Sequence, residues 1–237
     1  MDERQRILII DDNVAVIRVL ENILEEEGFD VWPSLTAEDG LELIQKKGLP
    51  HLAIVDLDLP GMDGFAFCRK VLTFSDLPII MLSADGAEKT VVEGLDRFAE
   101  DYIVKTKPNA FRKGELVSRV NRVMRRIGDF AYTLSPLIHV NDNLQISFSE
   151  RRMVRNGKEL TLTPTESKML YILMRHAGRT VSSEYLIRRI WPLEMAFEDR
   201  LHTHIHRLRK KIEDNPREPE YIVADWGNGY IFPRFDN

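Results

Sequence analysis

Four short apolar runs in the first half of the chain each end on a residue that can do chemistry. Arg6-Ile7-Leu8-Ile9-Ile10 runs into Asp11-Asp12, and Leu52-Ala53-Ile54-Val55 into Asp56. Pro78-Ile79-Ile80-Met81-Leu82 ends on Ser83, and Tyr102-Ile103-Val104 on Lys105. Short runs rich in branched residues and bounded by turn signals read as fully buried strands. Val31-Trp32 makes a weaker fifth. Helical spacing fills the intervals. Val16, Val19, Leu20, Ile23 and Leu24 precede Gly28; Thr36 caps a helix to about Gln45, with Leu41 and Ile44 inward. Phe65, Cys68 and Val71-Leu72 mark the next helix, Lys89–Phe98 another, and Leu116, Val120 and Val123-Met124 the last. Strand and helix alternate five times, which predicts a doubly wound parallel sheet.

In an open α/β sheet, ligands meet the carboxyl ends of the strands. Those ends carry Asp11, Asp12, Asp56, Ser83 and Lys105. Pro60-Gly61 and Asp63-Gly64 make the segment after Asp56 a turn-rich loop. A carboxylate such as Asp56 can be a nucleophile toward phosphorus, a helix cap or a metal ligand. Three carboxylates in one crevice repel one another unless a cation joins them. Hard oxygen ligands with room for water suit Mg²⁺. Lys105 would contact one phosphoryl oxygen and Ser83 would donate a hydrogen bond to another, the electrostatic stabilisation phosphoryl transfer needs.

The composition, 43% hydrophobic and 30% charged, is that of a globular protein. Its 237 residues suggest one large domain or two ordinary ones. No apolar run approaches the ~18 to 20 residues that span a bilayer. Cys68 stands alone, so no internal disulfide framework exists, and a cytoplasmic location without membrane partners is expected. The net charge of −5 hides an asymmetry: residues 1–129 hold 17 Lys+Arg against 24 Asp+Glu, and residues 130–237 hold 16 against 14. An acidic half joined to a mildly basic half points to a different partner for each.

The second half opens with four short strand candidates: Ile138–Val140, Leu144–Phe148, Met153-Val154 and Leu160–Leu162. Asn156-Gly157 is a hairpin signal. Thr163-Pro164-Thr165-Glu166 starts a helix that Gly178 stops, and a second helix runs from about Ser183 to Ile190. A third, Arg200–Ile212, buries Leu201, Ile205, Leu208 and Ile212 as one stripe. Its opposite face shows Thr203, His206, Arg207 and Lys210, flanked by Arg200, Arg209 and Lys211. Such a face is the footprint of a groove-reading helix, or simply a solvated surface. Tyr221-Ile222-Val223 and Tyr230-Ile231-Phe232 flank the glycine-flexed tip Trp226-Gly227-Asn228-Gly229. His202 and His206 lie at i and i+4, but two ligands alone make a poor metal site.

The Asp11-Asp12 pair, the Val55-Asp56-Leu57-x-Leu59-Pro60-Gly61-Met62-Asp63-Gly64 block, Ser83-Ala84 and Asp101-Tyr102-x-x-Lys105 resemble a response-regulator receiver domain over residues 1–127. The resemblance implies a flavodoxin-like five-stranded sheet of order 2-1-3-4-5 and phosphorylation of Asp56 by a sensor histidine kinase. It implies Mg²⁺ ligation by Asp12, Asp56 and the backbone carbonyl of Asp58, with Asp11 acting mostly through water. Ser83 and Tyr102 would be the switch pair. The expected enzymology goes no further than self-phosphorylation and slow autodephosphorylation. One departure stands out: the chain reads Lys105-Thr106-Lys107-Pro108-Asn109-Ala110-Phe111 where such domains follow the lysine directly with Pro-Phe. Lys105 keeps the strand register and Lys107 keeps the Lys-Pro pair; register favours Lys105. Receivers of the OmpR/PhoB type dimerise through their fourth helix, fifth strand and last helix. Asp101, Glu115 and Arg119 match charged positions of that face.

Leu162-Thr163-Pro164-Thr165-Glu166, Gly178-Arg179-x-Val181-Ser182, Ile205-x-Arg207-Leu208-Arg209-Lys210-Lys211 and Gly227-x-Gly229-Tyr230-x-Phe232 resemble the winged-helix output domain of that family. This places a DNA-binding domain over residues 137–237, after a linker at 128–136. It implies promoter DNA as partner, with the third helix in the major groove and the wing at the minor groove. Arg207 is the expected base contact, since arginine binds guanine edges bidentately. Thr203, His204, His206, Arg209 and Lys210, with Trp226 and Asn228 on the wing, are the other expected DNA contacts. The family's wing carries an arginine before its first glycine; here that position is Trp226. Residues 192–198 match the loop that touches RNA polymerase. Two rivals stand beside this reading. One is a DNA-binding regulator whose receiver dimerises without phosphate. The other is an aspartate-nucleophile phosphatase of the haloacid-dehalogenase type, built on Asp56-x-Asp58 but with Asp11-Asp12 in the wrong chain order.

Overall fold

A computed structural model describes residues 4–83, 99–105, 112–127, 135–191 and 196–235. The expected helix at Lys89–Phe98, the residues Ala84 and Lys107, and most of the 128–136 linker lie outside the described residues. Two compact units emerge: Met1–Leu72 with Leu77–Gly128, and Thr73–Asp76 with Asp129–Asn237.

The first unit is a parallel sheet of β1 (Arg6–Ile10), β2 (Asp30–Ser34), β3 (Leu52–Asp56), β4 (Ile79–Ser83) and β5 (Asp101–Val104), in the order β2-β1-β3-β4-β5. The three inner strands are buried at every position, which is why they read as unbroken apolar runs rather than alternating ones. β2 is an edge strand and tolerates Pro33 for that reason. On one face, α1 (Val14–Glu26) and α4 (Lys113–Ile127) pack Val16, Leu20, Leu24, Leu116, Val120 and Val123 against Ile7, Ile9, Ile54 and Ile80. The other helices of this unit among the described residues are α2 (Ala37–Lys47) and α3 (Gly64–Val71). Thr36 caps α2 as expected, accepting from Asp39 N. Asn13 and Asp63 cap α1 and α3, two roles the apolar spacing did not reveal. Gly64 admits no substitute easily: a Cβ there would stand 2.2 Å from the Asp56 carbonyl oxygen. The loop after β3 is thus folded tightly back beneath Asp56.

The second unit opens with an antiparallel sheet, β6 (Ile138–Asn141), β7 (Leu144–Ser147), β8 (Arg152–Arg155) and β9 (Lys158–Thr161). Asn156 and Gly157 both take positive φ, 51° and 75°, the requirement of the expected hairpin turn. Then come α5 (Pro164–Arg175), α6 (Ser183–Ile190) and α7 (Glu198–Ile212). Thr163 and Glu166 close a reciprocal capping box on α5. Leu201, Ile205, Leu208 and Ile212 of α7 are buried, as their spacing required. α7 begins two residues before the expected start, at Glu198, with no side-chain cap at Phe197. A two-residue strand, β10 (Val181–Ser182), joins β11 (Val223–Asp225) and β12 (Gly229–Ile231) in the order β10-β12-β11, so the terminal hairpin is a three-stranded wing. Below the wing the carboxylate of Glu213 accepts backbone N–H bonds from Glu220, Tyr221 and Ile222, tying the end of α7 to the strand entry.

Candidate functional site

The parallel register sets Ile10 beside Val55, Asp56 beside Leu82 and Ser83 beside Val104. The four tips therefore share one edge. Carboxylate oxygens of Asp11, Asp12 and Asp56 lie within 4.8 Å of one another, the one carboxylate or histidine group of metal-binding geometry among the described residues. Asp11 and Asp56 are 0% and 3% exposed, whereas Asp12 faces solvent. Lys105 Nζ stands 2.7 Å from Asp11 Oδ2 and 2.7 Å from Asp56 Oδ2; the second contact has full hydrogen-bond geometry and the first is an ion pair. Asp11 Oδ1 accepts the Asn13 N–H at 3.0 Å. Asp56 Oδ1 is buried and accepts no hydrogen bond among the described residues.

The electrostatics follow from this crowding. Burial pushes the Asp11 carboxyl above its usual value, against the bonds from Lys105 and Asn13 that favour its charge. Burial also works against the Lys105 charge, but its two carboxylate partners outweigh it and raise the ammonium pKa. A buried carboxylate oxygen without a donor, beside two further carboxylates, is a set of hard ligands that a divalent cation satisfies. Ser83 is buried at the tip of β4, where its carbonyl accepts the Lys105 N–H at 2.8 Å. Tyr102 is buried on β5. Asp58 is exposed on the loop that Gly64 folds back. Glu38 of α2 accepts the Met62 N–H of that loop at 3.0 Å, a positioning contact with no local sequence signal.

The three expected dimerisation charges are brought together within one chain. Arg119 Nη1 donates to Asp101 Oδ1 at 2.7 Å and Arg119 Nη2 to Glu115 Oε1 at 2.7 Å. Arg122, which the sequence reading did not single out, donates to Asp101 Oδ2.

On α7, Thr203, His206, Arg207 and Lys210 are exposed on one face. Thr203 Oγ1 donates to the Asp199 carbonyl. Other basic residues of α7 are engaged by their own fold. Arg209 donates through Nε and Nη2 to the Ile222 carbonyl at 2.8 and 2.6 Å, and its guanidinium lies 5.9 Å from the Tyr230 ring. Burial lowers its pKa. Lys211 donates to Glu166 Oε2 and to the Thr161 carbonyl. Arg200 sits 4.5 Å over the Trp191 ring. His204 is half-buried with its ring 5.3 Å from that of Trp191. Burial, then Arg207 and Arg200, hold its pKa below the usual histidine value. Trp226 and Asn228 are exposed at the wing tip. Of the 192–198 segment, residues 192–195 lie outside the described residues; Phe197 is exposed.

A receiver-type sheet with an acidic pocket at its carboxyl edge, joined in one chain to a winged helix, defines a two-component response regulator that acts in transcription. Residues 7–121 match the family model of the response regulator receiver domain. Residues 157–232 match that of the transcriptional regulatory protein C-terminal domain. The regulatory protein VanR of Enterococcus faecium is 37% identical over 229 residues, covering 95% of this chain and 97% of that protein. The regulatory protein VanRc of Enterococcus gallinarum is 33% identical over 234 residues, covering 97% and 99%. The solved structure of response regulator DrrB, a Thermotoga maritima OmpR/PhoB homolog, is 28% identical, covers 98% of this chain and all of that one, and gives a TM-score of 0.47. The chain belongs to the OmpR/PhoB-type family of response regulators, with a receiver and a DNA-binding transcriptional regulatory domain. No described helix is long and apolar enough to cross a membrane.

Proposed function

We propose that Asp56 accepts a phosphoryl group from the phosphohistidine of a sensor kinase, and that the modified protein dimerises and binds promoter DNA. One observation carries this reading: Asp56 Oδ1 is buried and without a donor among the described residues, in a crevice shared with Asp11, Asp12 and Lys105. An Asp56 oxygen attacks phosphorus while the phosphorus–nitrogen bond to the kinase histidine breaks. Asp11, Asp12, Asp56 and the Asp58 carbonyl would hold Mg²⁺, which neutralises phosphoryl charge when bound. Lys105, released from Asp56, holds one phosphoryl oxygen, and Ser83 donates to another while Tyr102 follows it as the switch partner. Lys105 fills the lysine role ahead of Lys107 because its ammonium already reaches Asp56.

Downstream, Asp101 and Arg119 exchange their intrachain pairing for contacts to a second copy, with Glu115 as a further charge of that face. The receiver occupies residues 1–127, the linker 128–136 and the DNA-binding domain 137–237. Arg207 reads a base edge in the major groove, and Thr203, His206 and Lys210 position α7 on phosphates. The 192–198 loop meets RNA polymerase. Incubation of the protein with Mg²⁺ and acetyl phosphate tests the first step. A mass gain of one phosphoryl group, lost in Asp56→Asn, is expected. No gain on the wild type would favour the reading in which the receiver works without phosphate.

A further inference from the structure

The loop that carries Asp58 is tied to a helix that contributes no residue to the acidic pocket. Residues 57–63 join β3 to α3, and Asp58, Pro60, Gly61 and Asp63 among them are exposed. Backbone bonds fix the two ends: the Leu57 N–H donates to the Leu82 carbonyl at 3.0 Å, and the Gly64 N–H to the Leu57 carbonyl at 3.2 Å. Between these ends the anchor comes from α2, where Glu38 Oε1 accepts the Met62 N–H at 3.0 Å. Gly61 beside it takes φ of +78°, and a Cβ there would stand 3.2 Å from the same Glu38 oxygen. Glu38 is itself exposed, so burial does not dictate where its side chain lies. The free N–H groups in the first turn of α2 already favour a carboxylate, yet Glu38 reaches past them to a residue 24 positions on.

The turn that carries Glu38 is set firmly. Gly40 lets α2 press on β1 and α3: a Cβ there would stand 2.6 Å from Ile10 Cδ1 and 3.6 Å from Phe67 Cε2. The Asp11 N–H donates to the Ser34 carbonyl at 3.2 Å, Ser34 Oγ to the Thr36 carbonyl at 2.8 Å, and the Asp39 N–H to Thr36 Oγ1 at 3.1 Å. Glu38 thus completes a run of bonds from the backbone of Asp11 to the loop that follows Asp56.

We propose that Glu38 is a positioning residue for the metal site: it holds the loop after β3 in the form that presents the Asp58 carbonyl to Mg²⁺, and so sets the affinity of the receiver for the ion. The proposal rests on the reading of the pocket as a Mg²⁺ and phosphoryl site, and adds a residue that touches neither group. A loop already anchored loses less freedom when the ion binds, so the anchor strengthens binding without supplying a ligand.

The test is calorimetric titration of the full chain with Mg²⁺. Glu38→Ala is expected to weaken Mg²⁺ binding about fivefold, the scale of one hydrogen bond. Glu38→Gln, which keeps an acceptor oxygen and drops the charge, should recover most of the loss. Asp39→Ala removes the same charge one position on, from a side chain that lines the groove between α1 and α2 instead of the loop, and should bind Mg²⁺ as the wild type does. Thermal midpoints of the metal-free variants should stay near that of the wild type, because each change lies at an exposed position. Phosphorylation by acetyl phosphate should slow in Glu38→Ala at limiting Mg²⁺ and recover in excess Mg²⁺. Wild-type affinity in Glu38→Ala would overturn the proposal. So would equal weakening in Asp39→Ala, or no recovery in Glu38→Gln, since either result assigns the effect to charge and not to the loop. A rate that excess Mg²⁺ fails to restore would place Glu38 in phosphoryl transfer itself, against the positioning role. A wild-type protein that binds no Mg²⁺ would defeat the metal reading, and the role of Glu38 with it.

Discussion

The receiver pocket and the face of α7 gather charge in opposite ways. In the pocket, backbone register does the gathering: adjacent parallel strands end together, so Asp11, Asp56 and Lys105 meet because their strands do. On α7, a run of basic residues is sorted by what each side chain can reach. Arg209 and Lys211 turn to the Ile222 carbonyl and Glu166, and the exposed Arg200 stacks over the Trp191 ring, which leaves His206, Arg207 and Lys210 outward. A charge at a strand tip is therefore read from its place in the chain, whereas a charge on a helix must be read from its neighbours in space.

The sharpest way to break that contrast is at the backbone of the pocket. Gly64→Ala is expected to cost about 3 kcal/mol, the scale of forced overpacking, because the new Cβ meets the Asp56 carbonyl. Urea denaturation measures the loss, and Mg²⁺ titration should show weaker binding in the protein that still folds. A cost below that of an ordinary surface change would mean the loop is not held against β3.

Next in size is the ion pair that withdraws Lys211 from the basic face. Glu166 is buried, and burial alone would raise its pKa. Its bonds from Lys211 and the Thr163 backbone outweigh that and hold it below the usual carboxylate range. A folded-state pKa below the unfolded one adds stability above the unfolded value, near pH 4.3, which is lost as pH falls through the folded value. Glu166→Gln should cost about 2 kcal/mol at pH 7, from the weakened cap and the unpaired Lys211. The gap to wild type should hold down to about pH 5 and close below pH 4. A gap that widens in acid would reverse the sign of the coupling.

Smaller effects separate two neighbouring arginines. Arg207→Ala should lower the preference for a selected duplex over a random one by about tenfold or more, at little cost in stability, as loss of a bidentate base contact would. Arg209→Ala should cost about 1 kcal/mol of stability through its bonds to the Ile222 carbonyl, and should loosen the wing without relaxing base preference. Anisotropy on both duplexes, with melting curves, distinguishes them. Equal loss of preference in both variants would erase the distinction between outward and inward cations.

What could be read from the chain follows the same division. The four chemistry-bearing strand tips, the buried stripe of α7 and the Asn156-Gly157 turn depend on local period and local φ, and each lies where its residues require. The intrachain pairing of Asp101 with Arg119 and Arg122, the Glu213 clamp and the capture of Arg209 depend on partners between seven and 21 positions away, brought close only by the fold. β10 escaped notice because two residues carry no period at all. His204 and Arg209 look like phosphate contacts in sequence, and only the Trp191 ring and the Ile222 carbonyl draw them inward.

For phosphoryl transfer to act as a signal, the pocket must govern the helix. Affinity for a selected duplex, measured on wild type and Asp56→Asn with and without Mg²⁺ and acetyl phosphate, tests this directly. The expected result is a gain in affinity on adding the phosphodonor to wild type and none in Asp56→Asn. The same affinity in all four mixtures, or an equal gain in the variant, would contradict it.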